Sequence, residues 1–177
     1  MRIIVDSREQ TPWTFPADIE VATGTLQSGD YSLAGFENEI AAERKSLSDF
    51  LGCLTSGRER FKHELHRLRG FTASTVVIEA DMGDILAGNY RSRINPEAVL
   101  GVLAAWPIRY PTVHFVLVGD ASVGMRYCVS FFKNYLRIKS EAVRALEAQG
   151  MPVSVSSAAT PGIPPGTAIT PLEGNAR

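Results

Sequence analysis

Long apolar runs are missing from this sequence: none approaches the ~20 residues that a membrane-spanning helix needs. The short run Ile3-Ile4-Val5 is broken by Asp6 and Arg8, so no secretory signal is expected either. Cysteine is scarce. Two in 177 residues exclude a disulfide scaffold and are too few for a cysteine-based zinc site. Cys53 and Cys128 fall in apolar helical patterns and read as buried free thiols. A surplus of one charge is lacking as well: 18 Lys+Arg against 19 Asp+Glu leave a net charge of -1, so total charge signals neither a nucleic acid nor a membrane surface. These absences leave a cytoplasmic globular protein with no membrane partner as the expectation.

Distribution says more than the total. Residues 1–43 carry two basic and eight acidic residues, whereas residues 44–70 carry seven basic and three acidic ones. An acidic segment therefore runs directly into a basic one, with Glu43-Arg44-Lys45 at the join.

The apolar pattern predicts strands at Ile3–Val5, Glu20–Thr23 and Tyr31–Leu33, with the last returning through Glu39–Glu43 as a hairpin. Ser46 or Ser48 caps a helix through Phe50, Leu51 and Leu54; after Ser56-Gly57 a second helix places Phe61, Leu65 and Leu68 on one face. Thr75–Glu79 and Val113–Val118 read as buried strands, Asn95-Pro96 as a helix start leading Ala98–Ala105, and about 121–149 as a long helix. Strands separated by helices after the first hairpin predict an α/β domain with a mixed central sheet flanked by helices. Residues 150–177 hold five of the ten prolines and only two charged residues, Glu173 and Arg177, and are expected to form a disordered tail.

The chemistry gathers at the hairpin. Residues i and i+2 of a strand share a face, so Glu43 and Lys45 project together and Arg44 projects away. Asp30 precedes the opposing strand and is close enough in sequence to return beside Glu43. Two close carboxylates repel unless a cation lies between them, and oxygen-only ligation suits Mg²⁺ or Mn²⁺. With the Lys45 ammonium alongside, the set fits metal-dependent phosphodiester hydrolysis. Spacing of this kind is also common on solvated strands. His63 and His66 lack a third ligand nearby and read as surface histidines.

Val5-Asp6-Ser7-Arg8-Glu9, Gly29-Asp30-Tyr31 and Glu43-Arg44-Lys45-Ser46-Leu47-Ser48-Asp49 together resemble the XPF-type structure-specific DNA endonucleases, whose signature is Gly-Asp, a gap, Glu-Arg-Lys, three residues and Asp. The resemblance continues through Ser56-Gly57-Arg58 and Val77-Ile78-Glu79 and, in element order only, to about residue 140. It implies a restriction-endonuclease-like fold over 1–140, a helical extension over 141–149, and Mg²⁺- or Mn²⁺-dependent cleavage of branched, flap or junction DNA. On the matching positions it implies Asp6, Asp30 and Glu43 as metal ligands and Lys45 as the catalytic lysine beside the attacking water. Arg8 and Arg44 would pair with carboxylates or the scissile phosphate. Asp49 would hold Arg44 or Lys45, and Arg58 would touch the DNA backbone, with Lys62 and Arg69 beside it on the basic helix. The family also pairs nuclease domains through the late helical region, so a homodimer through 121–140 is expected, with Tyr127, Phe131, Phe132 and Tyr135 as either core or dimer face.

Residues 150–177 are too short and proline-rich for the tandem helix-hairpin-helix module that cellular relatives carry, so the expectation is a stand-alone nuclease domain of bacterial or phage-like type. Two other classes stay open: a catalytically silent DNA-binding or scaffold subunit, and a restriction-type or RNA-processing nuclease.

Overall fold

The computed structural model describes residues 1–151. The tail expected over 150–177 thus lies, from residue 152 on, outside the described residues. Six strands, β1 (Arg2–Asp6), β2 (Glu20–Gly24), β3 (Tyr31–Leu33), β4 (Ile40–Ser46), β5 (Ala73–Glu79) and β6 (Val113–Leu117), form one sheet in the order β2-β1-β3-β4-β5-β6. The sheet is mixed, as expected: β3 runs antiparallel to both neighbours, and the other pairings are parallel. Five helices flank it: α1 (Leu47–Leu54), α2 (Arg58–Leu68), α3 (Met82–Ala87), α4 (Pro96–Arg109) and α5 (Ala121–Ala148). Among the described residues no helix is long and apolar enough to cross a membrane.

Strand alternation divides the core in two. Ala41, Val76 and Ile78 face one side, where Phe50, Phe61, Leu65 and Trp106 of α1, α2 and α4 cover them. Ile3, Val5, Tyr31, Ile40, Ala42 and Val77 face the other, covered by Trp13 and by Cys128, Phe132 and Tyr135 of α5. Both cysteines are buried and free. The aromatic residues of 121–140 are therefore largely core: Phe132 and Tyr135 are buried, and Tyr127 and Phe131 pack half-buried against the same cluster. α5 runs unbroken through residue 140.

Local chemistry sets the boundaries. The Ser46 hydroxyl accepts from the Asp49 amide at 3.1 Å and starts α1, so Ser46 rather than Ser48 is the cap. Asn95 caps α4 with Pro96 in the first turn, and this helix continues past Ala105, through Pro107, to Arg109. α3 was not expected; six residues are too few to display a period, yet Asp81 caps its start and Gly88, at φ 69°, ends it.

Gly29, at the mouth of β3, is the glycine the site requires. Its φ is +79°, and a Cβ there would meet Ala41 Cβ and the Ala42 carbonyl oxygen at 3.1 Å each. Gly35 has a similar φ of +83° with nothing within 4 Å. Gly35→Ala should therefore lose only the conformational term, about 1–2 kcal/mol, and Gly29→Ala should lose more. Denaturant titration of the two variants checks the order.

Candidate active site

The β3–β4 register places the central pair. Tyr31 is opposite Ala42, so Asp30 faces Glu43 across the ladder, with the Asp30 amide donating to the Ala42 carbonyl at 2.9 Å. On the other side β1 is in register with Val5 opposite Tyr31, and the Asp6 amide donates to the Asp30 carbonyl at 2.8 Å. Directly opposed residues share a face. Asp6, Asp30 and Glu43 thus stand in a row on the face covered by α1 and α2, at the edge of a cavity of about 160 Å³ also lined by Arg8, Glu64 and Arg67.

The three carboxylates are not equivalent. Asp6 is engaged at both oxygens: Oδ1 accepts from the Arg8 amide (2.8 Å) and Arg8 Nε (2.7 Å), and Oδ2 from Arg8 Nη2 (2.9 Å) and the Leu26 amide (2.8 Å). The Arg8 side chain, outweighing burial, holds its pKa down at about 2. Asp6, expected from the motif as a metal ligand, here holds Arg8 in place through both of its oxygens. Asp30 accepts from the Arg44 amide at 2.8 Å. Burial raises its pKa, against the pull of the Arg44 amide and Lys45. Burial likewise raises Glu43, with Asp30 adding to it and Lys45 opposing. The Lys45 ammonium bonds the Glu43 carboxylate and lies 5.4 Å from the Phe61 ring centroid. Burial alone would depress it, but Glu43 and Asp30 hold it above its ordinary value, so it remains a cation.

Arg44 projects to the opposite face, as alternation requires. Its Nε and Nη2 donate to the two Glu79 oxygens (2.7 and 3.2 Å), Nη1 donates to the Thr11 carbonyl, and the guanidinium sits 5.3 Å over the Trp13 ring. Trp13 Nε1 donates to the same Glu79 at 2.7 Å, and its ring stacks on Tyr31 at 4.5 Å. Arg44 thereby anchors the segment that carries Arg8 and Glu9. Asp49 holds neither Arg44 nor Lys45: it accepts the Ser46 hydroxyl at 2.6 Å and closes the start of α1.

One edge of the basic helix faces the site. Arg60, Glu64 and Arg67, spaced i, i+4 and i+7, line the cavities here, whereas Arg58, Lys62 and Arg69 line neither the acidic cavity nor its neighbour. Lys62 pairs with Glu59 at 2.7 Å. Glu64 accepts from the Gly29 amide at 3.1 Å and pairs with Arg67, whose Nε reaches Ser28 at 3.0 Å. Glu64, Glu79 and Arg60 were missed. Helical phase from Phe61 and Leu65 would have separated Arg60 and Glu64 from Lys62, but Glu79 gives no local sign of its role.

A family model described as the ERCC4 domain matches residues 5–131. The chain belongs to this family. Among solved structures, XPF from Aeropyrum pernix in complex with DNA is similar over 77% of this chain and 65% of that one, at 24% identity and a TM-score of 0.61. XPF from Aeropyrum pernix in a second structure is similar over 81% and 69%, at 23% identity and the same TM-score. At these identities the two share the fold, and the chain spans slightly less than two thirds of the first. No curated protein matches it. The ERCC4 match covers the row of acids, Glu43-Arg44-Lys45 and both site-lining helices, so the XPF-type resemblance of the motifs holds for the domain as a whole.

Asp6 and Asp30 should respond to pH in opposite senses. Asp6, lowered from 3.8 to about 2, contributes about 2 kcal/mol above its ordinary value, lost as pH falls towards 2. Asp6→Asn should destabilise by that order at pH 7. Asp30, raised by burial, disfavours the folded state once it ionises, so Asp30→Asn should raise Tm at pH 8 and the gain should vanish towards pH 4. Thermal melts across pH of both variants check the signs.

Proposed function

We propose that the chain is a divalent-cation-dependent DNA endonuclease that hydrolyses phosphodiester bonds at branched, flap or junction DNA. The observation that carries this reading is the opposed pair of half-buried Asp30 and buried Glu43, with the Lys45 ammonium on Glu43, at the edge of an open cavity. Membership of the ERCC4 family and the fold shared with an XPF in complex with DNA support DNA as the substrate.

The donor set fits Mg²⁺ or Mn²⁺ in one particular way. Among the described residues no group of three or more His, Cys, Asp or Glu side chains is arranged to hold an ion by itself. Mg²⁺ is commonly held by one or two carboxylates, with waters and substrate phosphate completing the octahedron. Asp30 and Glu43 would be those two carboxylates. A bound ion would relieve their repulsion and supply Lewis-acid polarisation of the scissile phosphate. Lys45, held protonated, donates rather than accepts: it orients the attacking water and offsets charge on the phosphate oxygens. The water oxygen forms the new P–O bond and releases its proton to solvent, while the bond to the leaving oxygen breaks and that oxygen takes a proton from solvent. Arg8, fixed by Asp6, keeps its Nη1 hydrogens for the phosphate. Pairing of two copies through 121–140 belongs to the same reading; the side chains left to it are the partly exposed Val123, Tyr127, Phe131 and Ile138.

Flap, fork, duplex and single-stranded DNA, with an RNA control, should be incubated with Mg²⁺, Mn²⁺ or chelator. The branched substrates should be cut only with metal, Asp30→Ala should abolish cutting, and Lys45→Ala should slow it by roughly 10²–10³-fold. Cutting that survives chelation or Asp30→Ala would overturn the mechanism. Binding without cutting in any metal would favour the silent subunit, and preference for the RNA would favour the RNA-processing class.

A further inference from the structure

Beside the acidic cavity lies a second, of about 490 Å³, which the Asp30–Glu43 chemistry does not use. Three arginines line it, Arg8, Arg44 and Arg60, together with Glu9 and Asp49. Both acids already have partners: Glu9 accepts from the Thr11 amide at 2.8 Å and lies 3.7 Å from Arg44, and Asp49 accepts from Ser46. The arginines keep donors in hand. Arg8 spends Nε and Nη2 and retains both Nη1 hydrogens; Arg44 makes three of its five bonds. Arg60 makes no hydrogen bond or ion pair among the described residues and is exposed. Arg8 and Arg44 are already paired with Asp6 and Glu79, so Arg60 is the cation left free to meet a phosphodiester.

Two features tie this cavity to the cleavage site. Arg8 lines both. Arg60 lies one α2 turn before Glu64, which lines the acidic cavity, so the two are offset by about 6 Å along the helix axis, on the order of two base steps. Resting on the nuclease reading, we propose that this cavity receives a phosphodiester of the cleaved strand one or two nucleotides from the scissile one, with Arg60 as its free cation. Arg8 bridges the two phosphates, and Arg44 closes the wall from its anchored position.

The test pairs a residue with a phosphate. Flap DNA carrying one neutral methylphosphonate at each position within two nucleotides of the cut is bound, in Ca²⁺ to suppress cleavage, by the full chain and by Arg60→Gln; fluorescence anisotropy gives Kd. One methylphosphonate position should weaken wild-type binding roughly tenfold. Arg60→Gln should lose a similar factor on unmodified DNA, show no further loss at that position, and flatten the salt dependence by about one phosphate contact. Arg109→Gln, on α4 and lining neither cavity, should keep the wild-type position dependence. Unchanged Tm in Arg60→Gln, an exposed residue, confirms that folding is not the cause. If Arg60→Gln keeps the wild-type sensitivity at every position, the phosphate site is overturned while the nuclease reading stands. If wild type neither binds nor cuts unmodified DNA, both fall together.

Discussion

The rest of this structure depends on the cost of placing Asp30 opposite Glu43 in a poorly solvated ladder. The register of β3 against β4 leaves no choice in the matter, because Tyr31–Ala42 pairing brings the next residue pair into opposition. Gly29 makes the approach possible: its left-handed backbone passes over Ala41 and Ala42 where a side chain would collide. Burial raises the proton affinity of both acids, Asp30 adds to it at Glu43, and the surroundings are arranged to limit the damage. Lys45 supplies the nearest positive charge, the Arg44 amide binds Asp30, and Arg8 neutralises Asp6 beside them. A destabilised pair of oxygens facing a cavity is the kind of local conflict that persists where function requires it.

Glu43-Arg44-Lys45 divides its labour by strand alternation. Glu43 and Lys45 look towards α1 and α2, where the chemistry is proposed. Arg44 looks towards Trp13 and Glu79, where it anchors the 7–16 segment. The two faces are coupled through one short strand, because the amide of Arg44 also holds the Asp30 carboxylate. Substitution of Arg44 therefore disturbs the acidic pair and the segment bearing Arg8 together. A basic residue in the motif is here first a fastening of the loop.

Much of this was legible in the sequence. Period-two and helical patterns placed all six strands and four of the five helices, and i, i+2 spacing put Glu43 with Lys45 and Arg44 apart. The short α3 escaped because six residues carry no period. Side-chain partners were less accessible. Asp6 and Asp30 look alike in sequence, and only the proximity of the Arg8 guanidinium, the Arg8 amide and the Leu26 amide gives Asp6 four donors where Asp30 has the Arg44 amide. Asp49 was expected to hold a catalytic cation, but a capping serine three residues earlier claims it. Arg60 and Lys62 have the same charge and nearly the same position, and helical phase sends only Arg60 to the site. Glu79 and Trp13 meet Arg44 from 35 and 31 positions away in sequence, a distance over which no local pattern reports.

The central claim is that Asp30 and Glu43 together hold a divalent cation. The most direct measurement is amide NMR of the isotope-labelled chain titrated with substoichiometric Mn²⁺, whose unpaired electrons broaden nearby resonances irrespective of catalysis. The account predicts that Gly29, Asp30, Glu43 and Arg44 broaden first, that Mg²⁺ in excess restores them, and that Asp30→Asn abolishes the effect. Broadening centred elsewhere, or persisting unchanged in Asp30→Asn, would contradict it.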